Sequence, residues 1–357
     1  MRVEISGHRY IFLDGLRGVA ALAIVIHHFT QHSVGHRVAF SSAAIAVELF
    51  LCLSGFVLAH SYHEKLVNGM PLAIYAKKRL VRLYPMYIIG LVLGFLALIL
   101  LKAKELTDLS WTGIAYSAIL NIFYLPYFNS NEVQIFVDRI PGATFHLNNP
   151  AWSLFFGLFA NLIYAATIRI SNKLPLVFVL VSGAGLYYAA ARLGEAPGWS
   201  TENFLGGFPR ICFSFFSGVL IFQLKDKIQS FSRFNPIYLL LVIVLVLAVP
   251  KFEGHKAFWF VGAVVLMPLS VFYSSKCVVE IDSVWHRVCE YLGNISYPVY
   301  CVHFPLLMAA SVFFSSGENY ILLIVSLIFA SVATAHLLMT YVESPIRRFI
   351  TRRVVKD

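Results

Sequence analysis

The amino-acid sequence predicts an all-α, polytopic membrane protein that crosses the bilayer about ten times. Of its 357 residues, 59% are hydrophobic and 13% are charged, which is about half the charged share of soluble domains. Apolar runs recur along the whole chain, and most approach the roughly 20 residues that a membrane span needs. Because charge is scarce throughout, we expect one integral-membrane unit over residues 1–357 and no separate soluble domain.

Ten apolar runs are predicted to span the membrane, each bounded by charged residues or by Pro and Gly. In chain order they are 11–30, 43–61, 83–101, 150–168, 175–191, 209–224, 236–250, 257–273, 293–315 and 320–341. The first run is not a cleavable signal peptide, since Arg17 interrupts it and no small-residue cleavage site follows.

The distribution of positive charge predicts the orientation, because Lys and Arg concentrate in cytoplasmic loops. With ten spans, 19 Lys and Arg residues fall on the side of both termini and 8 on the other side, with Arg17 inside a span. An eleventh apolar run, 111–126, would place the basic C-terminal tail outside if it crossed. We therefore predict cytoplasmic N- and C-termini and a re-entrant or interfacial helix at 111–126.

Two other kinds of function are disfavoured by the composition. The net charge of +10 is explained by membrane orientation, so it does not indicate a nucleic-acid partner. The five cysteines are scattered and none has CxxC spacing, so the sequence predicts neither a metal site nor a disulfide framework.

The first span carries ionisable residues where lipid-compatible ones are expected. Asp14 and Arg17 are three residues apart and can pair on one helix face. His28 follows Arg17 by eleven residues, about three turns or roughly 16 Å along the same face. Such groups usually face a protein interior or a water-filled cavity. The alternative is a snorkelling arginine near a helix end together with interfacial histidines.

A second candidate group lies around the next two spans. Glu48, near the same end of the bundle as His28, could orient the imidazole and raise its basicity. Before the third span stand four cations, of which Arg79 and Arg82 would share a helix face; the set is Lys77, Lys78, Arg79 and Arg82. Paired guanidinium groups suit polyphosphate, whereas a basic cluster beside a span is also a common topological anchor. Both interpretations stay open.

Three later features have equally open interpretations. The outer segment 102–149 combines asparagines with tyrosines, which could form a sugar-binding lip or an interfacial aromatic belt. His303 is a second titratable group inside a span, although such a histidine is more often a helix–helix contact. Glu343 and Arg347 form an i,i+4 pair that is most simply a structural cap.

In order along the chain, six fragments resemble acyltransferase family 3, a family of integral-membrane O-acyltransferases. They read LDGLRG with a histidine eleven residues after its arginine, ELFLCLSGF, RLVRLYP, PAWSL, ISYPVYCVH and VESPIRR. The resemblance covers about residues 10–349 and departs at Gly157, where many relatives have glutamate. That departure leaves open an altered or inactive branch.

The resemblance implies transfer of an acyl group, commonly acetyl, from acyl-CoA to a sugar hydroxyl. It implies that His28 is catalytic, with Glu48 and Asp14 as supporting acids. It implies that Arg17, Arg79 and Arg82 serve the CoA donor, and we add Lys78 to that set. We expect acyl-CoA as a co-substrate with no permanently bound cofactor, a carbohydrate or glycolipid acceptor, contact with membrane lipid, and location in the bacterial inner (plasma) membrane. The competing class is a polytopic sugar or lipid transporter without acyl-transfer activity.

Overall fold

The computed structural model describes residues 10–31, 38–228, 235–277, 279–281, 283–314 and 319–354, with side chains up to residue 350. Within these residues the helices, in chain order, are α1 Ile11–Gln31, α2 Ala44–Val67, α3 Leu72–Ala103, α4 Trp111–Ile122, α5 Trp152–Thr167, α6 Leu174–Leu193, α7 Gly207–Leu224, α8 Pro236–Ala248, α9 His255–Val261, α10 Met267–Ser274, α11 Val284–Phe313, α12 Tyr320–Leu338 and α13 Ser344–Val354. Two short 3₁₀ turns, Asn149–Ala151 and Phe204–Gly206, lead into α5 and α7.

The predicted membrane helices are present. Nine helical stretches of the described chain are long and apolar enough to cross a bilayer, and each coincides with a predicted span. The tenth prediction, 236–250, corresponds to α8, which has 13 residues and therefore a length of about 20 Å. The helical membrane character is confirmed, while the exact number of crossings and the cytoplasmic termini stay predictions.

The third helix begins earlier than the sequence predicted. α3 starts at Leu72 rather than near residue 83, directly after Pro71, which occupies the N-cap position. No helix breaker separates Pro71 from the apolar run. The basic cluster therefore lies on the first turns of a 32-residue helix and not on a loop.

The outer segment contains the two departures from an all-helical chain. β1 Glu132–Ile135 and β2 Asp138–Pro141 pair antiparallel, with Val133 opposite Ile140. α4 occupies most of the run 111–126. Its 12 residues span about 18 Å, well short of a bilayer's hydrocarbon core of about 30 Å. This length agrees with the predicted re-entrant or interfacial helix.

Two pairs of helices pack closely and fix the positions of the ionisable residues. α1 runs parallel to α11, and Gly18 lies so close to Leu292 that a Cβ would overlap its backbone. α2 packs on α7, where Gly55 and Gly218 each face the partner helix's carbonyl oxygens. We call the end of the bundle with the first turns of α1 and α3 the inner end, and the opposite end, which contains Gln31, the outer end.

The last two helices are joined by a π-helical turn at Met339–Glu343, and α9 joins α10 by another at Gly262–Leu266. Such one-turn π insertions often lie at functional sites because they redirect the side chains that follow. The turn at Met339–Glu343 packs against α3 at the inner end.

Candidate functional site

A cavity of about 420 Å³ lies between α2, α5 and α11. Its inner end is lined by charged side chains, namely Arg17, Arg79, Arg82, Glu343 and Arg347. Its other end is lined by Val47, Phe50, Ser153 and Tyr300. On α2 the lining extends from Tyr62 to Val47, which is about 22 Å along the helix axis. The cavity is therefore an elongated passage with cations at the inner end.

Arg17 is fixed by hydrogen bonds at this inner end. Its Nη2 lies 3.3 Å from Oδ1 of Asp14, so the predicted i,i+3 pair is present. The same Nη2 donates to the carbonyl of Gly293 at 2.7 Å, and Nε donates to Oγ of Ser296 at 3.0 Å. These bonds attach α1 to α11 and hold the guanidinium group at the cavity wall.

The basic cluster of α3 divides into residues that line the cavity and residues that do not. Arg79 and Arg82 line it, whereas Lys78 is not among its lining residues. Arg79 is only 6% exposed, and its Nε donor has no hydrogen-bond partner in the described part of the chain. Arg82 is exposed. A buried guanidinium donor without a partner at a cavity wall is a strong indication of a ligand-binding position.

His28 lies against a second histidine of α11. Its Nδ1 is 3.0 Å from Nε2 of His303, and the two rings are stacked with centroids 5.2 Å apart. Nδ1 of His303 lies 3.1 Å from the carbonyl of Val299, which can only accept. His303 therefore carries its proton on Nδ1, and its Nε2 accepts the proton of His28 Nδ1. This tautomer, assigned from the hydrogen bonds, leaves the basic lone pair of His28 on Nε2.

The ring of Tyr300 lies between the cavity and the histidine pair. Tyr300 lines the cavity, and its ring lies 5.8 Å from that of His303 and 5.9 Å from that of Phe50. The Tyr300 hydroxyl donates to the carbonyl of Pro150 at 3.0 Å and contacts Ser153 at 2.8 Å. His28 itself does not line the cavity, so the passage ends one aromatic ring short of the histidines.

The structure does not show the predicted pairing of Glu48 with His28, because the hydrogen bonds of Glu48 go to other residues. Glu48 is fully buried, and its Oε1 accepts from Nε of Arg210 at 2.5 Å while Oε2 accepts from Ser214 at 2.6 Å. Both carboxylate oxygens are thus occupied by residues of α7. A buried carboxylate requires a buried cation, and α7 rather than α1 supplies it. No sequence pattern indicated that Arg210, near the edge of a span, turns inward.

The sequence interpretation undervalued Glu343 and Arg347. The predicted pair exists, with 3.3 Å between Arg347 Nη1 and Glu343 Oε1. Both residues also line the inner end of the cavity, because the π-helical turn directs them towards α3. The i,i+4 spacing was visible in the sequence, but the π turn that sets their direction was not.

A second hydrogen-bonded histidine cluster lies at the outer end. Nε2 of His255 is 2.8 Å from Oγ of Ser42, and its Nδ1 is 2.9 Å from Oε2 of Glu195. The order of groups resembles a Ser–His–acid triad. However, Ser42 is fully buried and also donates to the carbonyl of Val249 at 2.8 Å. The cluster therefore joins three outer loops and has no access for a substrate.

The asparagines of the outer segment are used mainly to fold that segment. Asn121 donates to Leu125 O at 3.0 Å, and Asn129 donates to Tyr127 O at 2.8 Å. Asn148 donates to Cys301 O at 2.8 Å and so fixes the segment to α11. These contacts favour neither alternative for the segment, and a carbohydrate site there stays a prediction.

Comparison with known proteins gives consistent results. A family model described as an acyltransferase domain, of acyltransferase family 3, matches residues 10–340. The chain is 38% identical over 193 residues to "Protein 2 in picA locus" of Rhizobium radiobacter, a match that covers 51% of this chain and 95% of that protein. It is 27% identical over 183 residues to "Acyltransferase MdmB" of Streptomyces mycarofaciens, covering 49% of this chain and 43% of that protein.

A longer match extends over nearly the whole chain. It is 22% identical over 369 residues to "Putative O-acetyltransferase SACOL0978" of Staphylococcus aureus, covering 95% of this chain. The chain spans 43% and 58% of the lengths of the Streptomyces and Staphylococcus proteins. No solved structure matches the chain.

Proposed function

This chain belongs to acyltransferase family 3, and from that membership we propose that it transfers an acyl group from acyl-CoA to a hydroxyl group of a carbohydrate or glycolipid. The membership confirms the resemblance predicted from the sequence and identifies a membrane O-acyltransferase. It favours acyl transfer over the alternative of a transporter without that activity. Acetyl-CoA is the simplest donor, and the bacterial inner membrane is the location that we propose.

The observation that carries this proposal is the cavity that connects two chemically different groups. Guanidinium groups of Arg79, Arg82 and Arg17 line its inner end, where their forked donors suit the phosphates of CoA. At the other end Tyr300 contacts His303, which is hydrogen-bonded to His28. The passage of about 22 Å between Tyr62 and Val47 can hold an extended pantetheine arm.

His28 is proposed as the general base. The acceptor hydroxyl gives its proton to Nε2 of His28 while its oxygen attacks the thioester carbonyl. The C–S bond then breaks, and the proton leaves with the thiol of CoA. The rings of Phe50 and Tyr300 close the cavity at this end, so they must part before the thioester reaches the histidine.

His303 is proposed as a positioning residue, because its Nε2 holds the Nδ1 proton of His28 and fixes the tautomer. A His303→Leu change removes this acceptor, so we expect kcat to fall with little change in the KM of the donor. His303→Gln keeps an acceptor and a donor at the same position and should recover part of kcat. Equal losses in both variants would contradict a positioning role.

The experiment that tests the proposal incubates membranes carrying the protein with labelled acetyl-CoA and measures label in a base-labile O-ester fraction. Positioned base catalysis typically contributes 10²–10⁴-fold, so His28→Ala should lose at least about 100-fold in rate without loss of expression. His336→Ala is the matched control, since His336 is exposed on α12 and does not line the cavity.

Two outcomes would overturn the proposal. Wild-type-like O-ester formation by His28→Ala would exclude the histidine as the base. Absence of O-ester with wild-type protein, for every donor tried, would favour the inactive branch that Gly157 had left open.

A further inference from the structure

The middle of the cavity has an apolar wall with one gap. α5 presents Leu154, Gly157 and Leu158 on one helix face, and α2 presents Leu51 opposite them, with Ser54 and Asn161 as polar members of the lining on these two helices. In the part of the chain that the structure describes, no charged side chain lines this part of the cavity, since the lining arginines and Glu343 are at the inner end. Gly157 is the member of this wall without a side chain.

Helix packing does not explain this glycine. At Gly18, Gly55 and Gly218 an added Cβ would overlap the backbone of a neighbouring helix, so a glycine is required there. At Gly157 an added Cβ would meet only Cδ2 of Leu51, at 3.8 Å, which is an ordinary van der Waals distance. Glycine in a helix interior is also less favourable than alanine. The missing side chain therefore leaves space inside the cavity.

We propose that the space beside Gly157 holds the hydrocarbon part of the acyl donor, and that the protein accepts linear apolar acyl groups longer than acetyl. This inference rests on the proposed function and specifies its donor. Cations at the inner end fix the CoA phosphates, so the acyl end lies in the apolar part. A polar acyl group such as succinyl would meet no charged partner at this wall.

The size of the effect follows from burial of methylene groups. Each CH₂ that enters an apolar pocket improves binding about fourfold, from its transfer free energy. Butyryl-CoA, with two more methylene groups than acetyl-CoA, should therefore bind about 16-fold more tightly. Filling the space with a larger side chain should reverse this order.

The first experiment measures the thermal stabilisation of the purified protein by CoA, acetyl-CoA, butyryl-CoA, hexanoyl-CoA and succinyl-CoA at equal concentrations. A ligand that binds only the folded state raises the melting temperature in proportion to the logarithm of its affinity. We expect stabilisation to increase from acetyl to hexanoyl, with succinyl no better than acetyl. Equal stabilisation by acetyl-, butyryl- and hexanoyl-CoA would overturn the inference.

The second experiment changes the wall. In Gly157→Leu the ratio of butyryl-CoA to acetyl-CoA affinity should fall at least tenfold, and in Gly157→Ala it should fall by an intermediate factor. Ala166→Leu, which adds bulk to the exposed face of the same helix, should leave the ratio unchanged. If Gly157→Leu does not fold, the ratio of butyryl-CoA to acetyl-CoA affinity in Gly157→Ala tests the inference alone.

The outcomes separate the two levels of the argument. If CoA itself stabilises the protein but chain length has no effect, the donor site stands and the acyl-chain inference fails. If neither CoA nor any acyl-CoA stabilises the protein, the proposed donor site fails as well. An unchanged ratio in both Gly157 variants would exclude this position as the determinant of chain length.

Discussion

Two buried arginines of this protein are held in opposite ways. Arg210 is 1% exposed and donates to Glu48 and to the carbonyls of Ala196 and Pro197. Its guanidinium carbon also lies 4.9 Å from the ring of Trp152. Arg79 is 6% exposed, yet its Nε has no hydrogen-bond partner among the described residues. Burial alone therefore does not separate a structural arginine from a ligand-binding one.

The difference lies in how completely the donors are used. A buried cation whose partners all belong to the chain stabilises the fold and has little capacity for another ligand. A buried donor without a partner costs stability until a ligand supplies an acceptor, and such exceptions concentrate at functional sites. The Arg210–Glu48 pair belongs to the first class and Arg79 to the second. The sequence predicted that Glu48 and Arg79 belong to one site.

The largest effect is expected at the structural arginine. Arg210→Ala leaves the Glu48 carboxylate buried without its cation, so we expect a loss of about 3–5 kcal/mol in the free energy of unfolding. The melting temperature of the detergent-solubilised protein measures it. The double variant Glu48→Met with Arg210→Met should recover most of this stability, because two apolar side chains replace the ion pair. A stable Arg210→Ala protein would remove the basis of the comparison.

Arg79→Ala should instead affect the donor and not the fold. A hydrogen bond to a charged group contributes about 1.5–3 kcal/mol, so the KM for acetyl-CoA should rise by roughly 10- to 150-fold. The melting temperature without ligand should not fall, because no hydrogen bond of Nε within the protein is lost. Lys77→Ala is the matched control, as an exposed cation of the same helix outside the cavity. A destabilised Arg79→Ala protein with an unchanged KM would show that Arg79 stabilises the fold and does not bind the donor.

His146 of the outer segment extends the comparison to a buried polar group that does not line the cavity. Both ring nitrogens are buried without a hydrogen-bond partner among the described residues, and burial lowers the pKa of His146 to about 4 despite the nearby Asp108. The folded state therefore favours the neutral ring. The stability due to this residue is complete above pH 6.5, the ordinary pKa, and is lost as the pH falls towards 4. Each pH unit in this window removes up to about 1.4 kcal/mol.

The measurement is the melting temperature as a function of pH. His146→Phe cannot take up a proton, so the difference in stability between wild type and variant should grow in favour of the variant below pH 6.5. A difference that does not depend on pH would show that the ring nitrogens are satisfied by water or by another ligand.

The smallest effect is expected at Arg82, which lines the cavity but is exposed. Exposed ion pairs contribute at most about 1 kcal/mol, so Arg82→Ala should raise the donor KM by about fivefold or less. The effect should shrink at high ionic strength, because salt screens exposed charges. If the donor KM rises more in Arg82→Ala than in Arg79→Ala, the exposed guanidinium group, and not the unpaired Nε of Arg79, governs donor binding.

The sequence predicted the features that depend on residues close to one another along the chain. Hydropathy located the helices, and the three-residue spacing predicted the Asp14–Arg17 pair. It could not predict contacts that depend on how helices pack. His28 meets His303 across 275 positions, and Glu48 meets Arg210 across 162. The hairpin at Glu132–Pro141 was missed because its strands have four residues each, too few for a periodic pattern.

The bond between α1 and α11 has a consequence for the order of synthesis. Arg17 donates to Gly293, which is 276 positions later in the chain. At 5–20 residues per second a ribosome needs roughly 14–55 s to make that stretch. During this time α11 has not yet been synthesised, whereas Asp14 is already present as an acceptor for Arg17. The local Asp14–Arg17 pair can thus form before the contact between α1 and α11 that positions Arg17 at the cavity.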